Sequence, residues 1–314
     1  MQKDSKIFIA GHRGVAGRAI ESRLRELGYC NLILKSHSEL ELTDQRQTDN
    51  FFHTYRPEYV FFCAARIGGI ADKTEHSAEF IMQNLQMETN VIGSAHAYQV
   101  KKLLFMGSAF VYPLHAEQPI REESLFSGEH GKVDEPYIIA KIAGVKLCEY
   151  YYKQYGDCFF SVMPCAFFGP GDSFDLAKAT VVPSMMRRMH EAKMQGDAQF
   201  SVWGTGRPLR EFLYSEDVAD ACIFLMEYGE PGGEYFNLGN GSAELSIRET
   251  AQVIQKVVGY TGELVFDTAK PDGTYRKTVD SSKLMRLGWK PKVTFEEGVQ
   301  KLYKFFLKGM TENL

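Results

Sequence analysis

The stretch Lys6-Ile7-Phe8-Ile9-Ala10-Gly11-His12-Arg13-Gly14-Val15-Ala16-Gly17 decides the fold of this chain. Its first half is an apolar run typical of a buried β-strand, and a helical stretch at 18–28 follows the glycines. Strand, glycine turn and helix in this order favour a dinucleotide-binding unit. The glycines permit a tight turn close to a pyrophosphate, and the helix N-terminus offers free N–H groups. The residues that we expect to contact the dinucleotide are Gly11, Arg13, Gly14, Val15 and Gly17.

The end of the second apolar run, at 31–34, indicates which dinucleotide is bound. An NAD enzyme usually carries an acidic residue there, roughly 20 residues past the glycines, for the ribose 2′-hydroxyl. The residues at this place are instead Lys35, Ser36 and His37. With Arg13 they can surround a 2′-phosphate, which favours NADPH, and we expect Asp44 to face the adenine. Solvated surface charge is the alternative interpretation, because Glu39 and Glu41 follow closely.

The first half of the chain continues the same alternation of strand and helix. Apolar runs at 59–64, 103–107 and 159–164 alternate with helical stretches at 78–98 and 137–155. This alternation predicts an α/β fold, a Rossmann-type doubly wound parallel sheet.

A smaller C-terminal α/β lobe for the substrate is predicted from about residue 169, where a loop rich in Pro and Gly begins. Further strands are expected at 200–203, 210–214 and 235–238. The last of these is expected to rejoin the main sheet, and Ser215 to cap the helix before it. We therefore predict a dinucleotide-binding domain at 1–168 with part of about 210–240, and a discontinuous substrate domain at about 169–314.

The composition excludes several classes of protein. The chain has 36 Lys and Arg against 40 Asp and Glu, a formal net charge of −4, which gives no basic field for nucleic acid. Its six cysteines lack the paired spacing of a metal site, so we expect no metal. No signal peptide or long apolar span is visible, which predicts a cytoplasmic protein with reduced thiols and no membrane partner.

Tyr137 and Lys141, four positions apart on a predicted helix, are the main candidates for catalysis. They share one helix face, where the lysine charge is expected to favour the ionised phenol and lower the pKa of Tyr137. Ser108 follows the strand-like run at 103–107. Together the three side chains can protonate a carbonyl oxygen. An ordinary amphipathic helix face is the alternative explanation of the Tyr–Lys spacing.

Longer motifs span the chain almost from end to end, at 11–14, 64–70, 135–144, 161–164, 202–204, 210–213 and 270–274. Through them the chain resembles the extended short-chain dehydrogenase/reductases and, among these, the GDP-L-fucose synthase family. The resemblance implies a Rossmann domain that binds NADPH, a C-terminal domain that binds a GDP-sugar, and a homodimer formed through helices of the larger domain. It also implies cofactor contacts from Ala64, Ala65, Tyr137, Lys141 and Pro164.

The same resemblance assigns the catalytic roles. NADPH delivers hydride to the C4 ketone of the sugar while Tyr137 donates a proton to the developing alkoxide. Ser108 orients the oxygen, and Lys141 binds the nicotinamide ribose and keeps the phenol acidic. The residues implied for the sugar diphosphate are Arg188, Trp203, Arg210 and Lys277. Arg187 is expected to be a solvated neighbour or a salt-bridge partner.

Two departures from the family bear on the reaction. Phe110 stands where the family has a Cys, and Thr180, beside Val181, stands where it has a His. In the bifunctional enzymes that Cys and His invert C3 and C5. Neither a phenyl ring nor a Thr hydroxyl is a usable acid or base near pH 7. We therefore expect C4 reduction of a GDP-4-keto-6-deoxy hexose or heptose without epimerisation, with Phe110, Thr180 and Val181 lining the substrate site.

Other interpretations remain open. Cys165, where the family has Thr, is a possible replacement base that would restore a bifunctional epimerase/reductase, and the neighbouring Ala166 and Phe167 change the sugar pocket. A 4,6-dehydratase is disfavoured because no acid follows Ser108. A nucleotide-sugar 4-epimerase would keep NAD bound and recycle it. A nonenzymatic NADPH sensor would have no need of a proton donor.

Overall fold

The computed structural model describes residues 1–68, 70–176, 178–241 and 243–311. The strands are β1 (Ile7–Ala10), β2 (Leu32–Ile33), β3 (Tyr59–Phe62), β4 (Lys102–Met106), β5 (Phe159–Pro164), β6 (Ala166–Phe168), β7 (Gln199–Trp203), β8 (Leu209–Tyr214), β9 (Tyr235–Leu238), β10 (Glu244–Ser246), β11 (Glu263–Asp267) and β12 (Arg276–Lys277). The α-helices are α1 (Val15–Glu26), α2 (Gln45–Tyr55), α3 (Ile70–Glu75), α4 (Ser77–Ala97), α5 (Glu135–Tyr155), α6 (Val181–Gln195), α7 (Ser215–Glu227), α8 (Ile247–Val258), α9 (Ser282–Arg286) and α10 (Phe295–Thr311).

Six of the described strands form the main sheet, in the order β2-β1-β3-β4-β5-β9, and all pair in parallel. The order reverses between β1 and β3, and at such a switch point the loops after the strands diverge and leave a crevice at the carboxyl edge. The return of β9 to this sheet, from Ser161 opposite Tyr235 to Pro164 opposite Leu238, confirms that prediction. The predicted doubly wound α/β fold is confirmed as well.

Helices cover both faces of the main sheet. Helix α4 packs against α5, and α1 packs against α7. All residues of β1 and β5 are buried, as expected of parallel strands covered on both sides. None of the helices in the described part of the chain combines the length and the apolar character that a membrane crossing requires.

A second hydrophobic core lies in the C-terminal half. Strand β8 pairs with β6, β10 and β12, while β11 pairs with β7. Helix α8 packs against α6 and α10, and the core includes Phe168, Met186, Phe212, Ile254 and Leu302. Helix α7 and strand β9 belong instead to the core of the main sheet, so the chain passes from one core to the other and back.

Two sequence expectations differ from the structure in detail. Helix α1 begins at Val15, directly after the glycine turn, rather than at residue 18. The prediction that Ser215 caps α7 is wrong, because the extended residue at the cap is Tyr214 and Ser215 is already helical. Ser215 is buried, and its hydroxyl lies against Gly169.

Candidate active site

The glycine turn after β1 fits the pyrophosphate of a dinucleotide. Gly11 has φ +83°, and a Cβ there would lie 2.7 Å from the backbone N of Ala64. A Cβ on Gly17 would collide with the carbonyl of Gly11. The N-cap of α1 is Gly14, which has no side chain to bond the first amides. The residues of the first turn all lie in the described part of the chain, and none of them is acidic. The amides and the positive dipole end of α1 are therefore free for an anion.

Three of the residues expected around a 2′-phosphate converge on one carboxylate. Glu39 accepts hydrogen bonds from the amide of Ser36 at 2.8 Å and from its hydroxyl at 2.6 Å. Its carboxylate also lies 3.9 Å from Lys35 Nζ. The Ser36 hydrogen bonds, with smaller contributions from Lys35 and Arg13, lower the pKa of Glu39. Arg13, Lys35 and Ser36, here called the Glu39 corner, thus act on a carboxylate of the protein itself, the acid that the sequence interpretation named as interference.

Two other expected cofactor contacts have different partners. His37 is 88% exposed, and its Nε2 lies 2.8 Å from Glu41. The carboxylate of Asp44 accepts from the amides of Arg46 at 2.8 Å and Gln47 at 3.0 Å, so it caps α2. The structure does not bring His37 to the Glu39 corner, and the contact of Asp44 with adenine stays a prediction.

Ser108, Tyr137 and Lys141 lie together where β4 ends against α5. Ser108 caps the short turn after β4, and its Oγ accepts from the amide of Phe110 at 3.2 Å. Lys141 Nζ donates to the carbonyl of Met106, the last residue of β4, at 3.1 Å. The Ser108 side chain also lies near enough to Tyr137 to lower the pKa of its phenol. The strand end and the first turns of α5 therefore bring the three expected catalytic residues into one place.

The electrostatic expectation for Tyr137 is wrong. Burial raises the pKa of Tyr137, Glu88 raises it further, and the Ser108 side chain works in the opposite direction. The ammonium group of Lys141 lies 3.6 Å from Glu88 Oε1 and 5.9 Å from the centre of the Tyr137 ring, so in the resting protein the nearer carboxylate offsets much of its charge. Helical spacing placed Tyr137 and Lys141 correctly, but it could not reveal a third charged group on another helix.

Glu88 is the site residue that sequence reasoning missed. It lies on α4 and is 1% exposed, and burial raises the pKa of its carboxyl to about 7. A signal for it existed in the sequence. Phe80, Asn84, Val91 and Ala95 are all buried and share one face of α4, and Glu88 stands four residues after Asn84 on that face. An acid on the buried face of a helix needs a buried partner.

The expected sugar-binding residues form two groups, and the first surrounds Phe110. The ring of Phe110 is 49% exposed, and Lys277 Nζ lies 4.5 Å from its centre. Strand register sets Lys277 beside Arg210. Burial lowers the pKa of Lys277 to about 8. Nη1 of Arg210 donates to the carbonyl of Thr274 at 2.6 Å. Two cations and an aromatic ring thus meet at this edge of the second core.

The second group surrounds Trp203, which is 63% exposed at the end of β7. The Arg188 guanidinium lies 5.8 Å and Lys270 Nζ 5.6 Å from the indole centre. Arg187 instead pairs with Glu191 at 2.8 Å, which confirms the prediction of a salt-bridge partner. An exposed indole flanked by two cations suits a flat or anionic ligand.

Thr180 and Val181 stand at the N-terminus of α6, the helix that carries Arg188. Thr180 is the N-cap, is exposed and makes no side-chain capping bond, and Val181 is 44% exposed. Cys165 is buried, its thiol donates to the carbonyl of Ala166 at 3.4 Å, and burial raises its pKa well above the ordinary value. A thiol in that state is a poor base, which argues against Cys165 as a replacement for the family Cys.

The described residues contain no group of three or more His, Cys, Asp or Glu side chains placed to hold a metal ion. Gly69, within the 64–70 motif, lies outside the described residues.

A model of the NAD dependent epimerase/dehydratase family matches residues 7–239. The chain belongs to this family. GDP-L-fucose synthase 1 of Arabidopsis thaliana is 48% identical over 308 residues, 98% of this chain and 95% of that protein. GDP-L-fucose synthase of Escherichia coli K12 is 44% identical, over 97% of each chain. A solved GDP-mannoheptose C4 reductase of Campylobacter jejuni with NADP bound superimposes with a TM-score of 0.88 at 35% identity, covering 98% and 99% of the two chains.

Family membership confirms the resemblance noted in the sequence and the prediction of a nicotinamide-dependent oxidoreductase. The NADP in the solved reductase agrees with NADP(H) as the expected cofactor. The relatives include proteins named as GDP-L-fucose synthases and one named as a C4 reductase. Similarity alone therefore leaves two reactions to be distinguished by the side chains around the sugar.

Proposed function

We propose that the protein is an NADPH-dependent reductase of the C4 ketone of a GDP-4-keto-6-deoxy sugar, a hexose or a heptose, and that it does not epimerise C3 or C5. The observation that carries the proposal is the Phe110 ring, which lies beside Ser108 and under Lys277 where the family places a Cys. A hydrocarbon ring cannot remove or supply a proton.

The proposed chemistry uses side chains that lie where β4 meets α5. Bound NADPH supplies the hydride. Tyr137 donates a proton to the oxygen as negative charge develops on it, and the Ser108 hydroxyl holds that oxygen by a hydrogen bond. The high pKa of Tyr137 in the cofactor-free protein means that the phenol carries its proton before the reaction starts. Lys141 supplies the positive charge that the phenolate needs after transfer.

Inversion of a carbon beside a ketone needs one group to remove a proton and another to supply one on the opposite face. Neither Phe110 nor Thr180 carries an acid or base for either step near pH 7. Cys165 is buried with a raised pKa, so it is not a ready substitute. These three residues support reduction without epimerisation.

The substrate class rests on the cations and on the relatives. Arg210 and Lys277 in one group, and Arg188 in the other, are suited to neutralise a diphosphate, and Trp203 offers an exposed aromatic face. The relatives named above act on GDP-linked sugars according to their names, and one is named for a mannoheptose. We extend this class to the present chain.

A bifunctional epimerase/reductase is the second candidate, favoured by the 44% and 48% identity to proteins named GDP-L-fucose synthase. A panel of GDP-4-keto-6-deoxy hexoses and heptoses, assayed with NADPH and followed by NMR, tests the proposal. We expect NADPH oxidation, a new hydroxyl of single configuration at C4, and unchanged configuration at C3 and C5. Binding without turnover across the panel would favour a nonenzymatic sensor and contradict the proposal.

We also propose that the protein forms a homodimer through α4 and α5. Both helices expose large apolar side chains, among them Met82 at 57%, Ile139 at 42% and Tyr150 at 56%. Light scattering on a sizing column is expected to give twice the chain mass. A monomer at micromolar concentration would contradict this part of the proposal.

A further inference from the structure

The ion pair between Lys141 and Glu88 lies inside the main domain rather than at its surface. The two side chains are 2% and 1% exposed, and Lys141 Nζ lies 3.6 Å from Glu88 Oε1. Among the described residues no donor lies within 3.5 Å of either carboxylate oxygen with hydrogen-bond geometry, and only Lys141 and the Gly144 amide lie near enough to favour the charged form. A buried carboxylate with so little compensation is costly, so a structural purpose alone explains it poorly.

The surroundings make Glu88 and Lys141 depend on each other. Within the described ranges, Lys141 Nζ donates one hydrogen bond, to the carbonyl of Met106, and it lies 4.4 Å from the centre of the Phe105 ring. Gly144, three residues after Lys141 on α5, leaves space for the Phe105 ring and for Glu88, because a Cβ there would collide with Phe105 and come within 3.1 Å of the Glu88 carboxyl carbon. The close approach of α4 and α5 at this glycine lets the carboxylate reach the ammonium group.

The other titratable groups that act on this pair do not replace Glu88. From α5, Tyr137 and the thiol of Cys148 are influenced by the Glu88 charge, and burial raises the pKa of both. The thiol of Cys63, after β3, interacts with Lys141, and burial raises its pKa as well. These groups are neutral near pH 7. Among the charged groups found to act on the Lys141 ammonium, the Glu88 carboxylate is therefore the compensating anion.

We propose that Glu88 is a positioning residue for the reduction and acts through Lys141. Its carboxylate keeps the Lys141 ammonium group charged in the protein interior. It therefore sets the pH above which Lys141 loses its charge and the reduction slows. The inference rests on the proposed function for its kinetic consequence, since Lys141 must be charged to stabilise the phenolate of Tyr137. Without Glu88, burial acts on the lysine alone and favours its neutral form.

Glu88→Gln keeps the shape of the side chain and removes its charge. We expect kcat of E88Q to lie within about threefold of wild type at the lowest pH where both are stable, and its upper pH limb to move down by roughly 1–3 units, the range for loss of a close opposite charge. Glu88→Asp keeps the charge but moves it away from Lys141. Its upper pH limb is expected to lie between those of wild type and E88Q. The binding of NADPH to each variant is measured separately by fluorescence.

Asp217→Asn is the matched control. Asp217, on α7, is also a buried acid, 2% exposed, but it accepts from the amides of Lys292 and Val293 rather than facing a lysine of the site. We expect D217N to lower the melting temperature without moving the pH limb. A purely structural role of Glu88 would give E88Q the same behaviour as D217N, and that result would overturn the inference.

A direct titration of Lys141 separates this inference from the proposed function. Side-chain NMR of the lysine-labelled protein, with the Lys141 signal identified by its loss in Lys141→Arg, needs no sugar. The pKa of Lys141 is expected to fall by roughly 1–3 units in E88Q and to stay within about 0.3 unit in D217N. If E88Q does not fold, the pKa of Lys141 in E88D must still fall, by less than the amount expected for E88Q. An unchanged Lys141 pKa overturns the inference, whereas a wild type inactive on every sugar overturns the proposed function alone.

Discussion

Lys277 Nζ lies 4.5 Å from the centre of the Phe110 ring, at the edge where β12 meets β8. The contact joins the residue that replaces the family Cys to a cation expected to bind the diphosphate. Because burial lowers the pKa of Lys277 to about 8, its charge is lost within a range accessible to assay. The lysine is charged below that pH and neutral above it.

This relationship predicts the pH dependence of substrate capture. We expect kcat/KM for the GDP-sugar to fall as the pH rises through about 8, since this ratio reports on groups of the free enzyme. Lys277→Arg keeps its charge and is expected to move the fall to higher pH. Lys277→Gln is expected to lower kcat/KM about 10- to 100-fold at pH 7, the value of a hydrogen bond to a charged group. An identical pH profile for K277R and wild type would remove Lys277 from the binding site.

Tyr137→Phe tests the proton donor. We expect kcat to fall at least ~10²-fold, because a positioned acid is removed, while NADPH binds with unchanged affinity. Ser108→Ala, which removes a hydrogen bond to the same oxygen, is expected to cost about 10-fold. Stopped-flow measurement of NADPH oxidation gives kcat, and a fluorescence titration gives the affinity for NADPH. Near-full activity of Y137F would assign proton transfer to another group.

The adjacent arginines of α6 offer a matched pair. Arg188 lies beside the exposed Trp203, whereas Arg187 is engaged by Glu191. We expect Arg188→Gln to raise KM for the GDP-sugar about 10- to 100-fold, as for a lost charge-assisted contact to phosphate, and Arg187→Gln to leave it within about twofold. Steady-state kinetics on both variants measure this difference in KM. Equal effects would mean that α6 acts through stability rather than through contact with the substrate.

The Glu39 corner predicts the choice of cofactor. Lys35→Ala and Arg13→Ala are each expected to weaken NADPH about 10-fold, the value of one charged contact, and to change NADH binding by less than about twofold. Arg25→Ala, an exposed cation paired with Glu21 elsewhere in α1, serves as the control. Parallel weakening of both cofactors by K35A would place the lysine away from the 2′-phosphate.

The elements that position the site were largely predictable from the sequence. Parallel strands buried on both faces give continuous apolar runs, so β3, β4, β5 and β9 stood out, and the glycine turn fixed the start of the sheet. The short strands β10 and β12 did not stand out. Glu244 to Ser246 and Arg276 to Lys277 are polar segments that become strands because they lie beside β8. Their pairing is a tertiary effect that local propensity does not contain.

Within the site, residue types and helical spacing identified Ser108, Tyr137 and Lys141, and the structure brings them together. The direction of the Tyr137 pKa shift was not predictable, because it depends on burial and on Glu88, which approaches from α4. The partner of Ser36 was missed for a similar reason. Glu39 was interpreted only as interfering charge, and its carboxylate in fact accepts two hydrogen bonds from Ser36.

Deuterium exchange tests the central claim most directly. The protein is incubated with NADPH and a GDP-4-keto-6-deoxy hexose or heptose in D₂O, and the product is examined by NMR at C3 and C5. We predict reduction at C4 with no enzyme-dependent deuterium at either carbon, because Phe110 and Thr180 cannot move protons there. Enzyme-dependent deuterium at C3 or C5 would contradict the claim and identify the protein as an epimerase as well as a reductase.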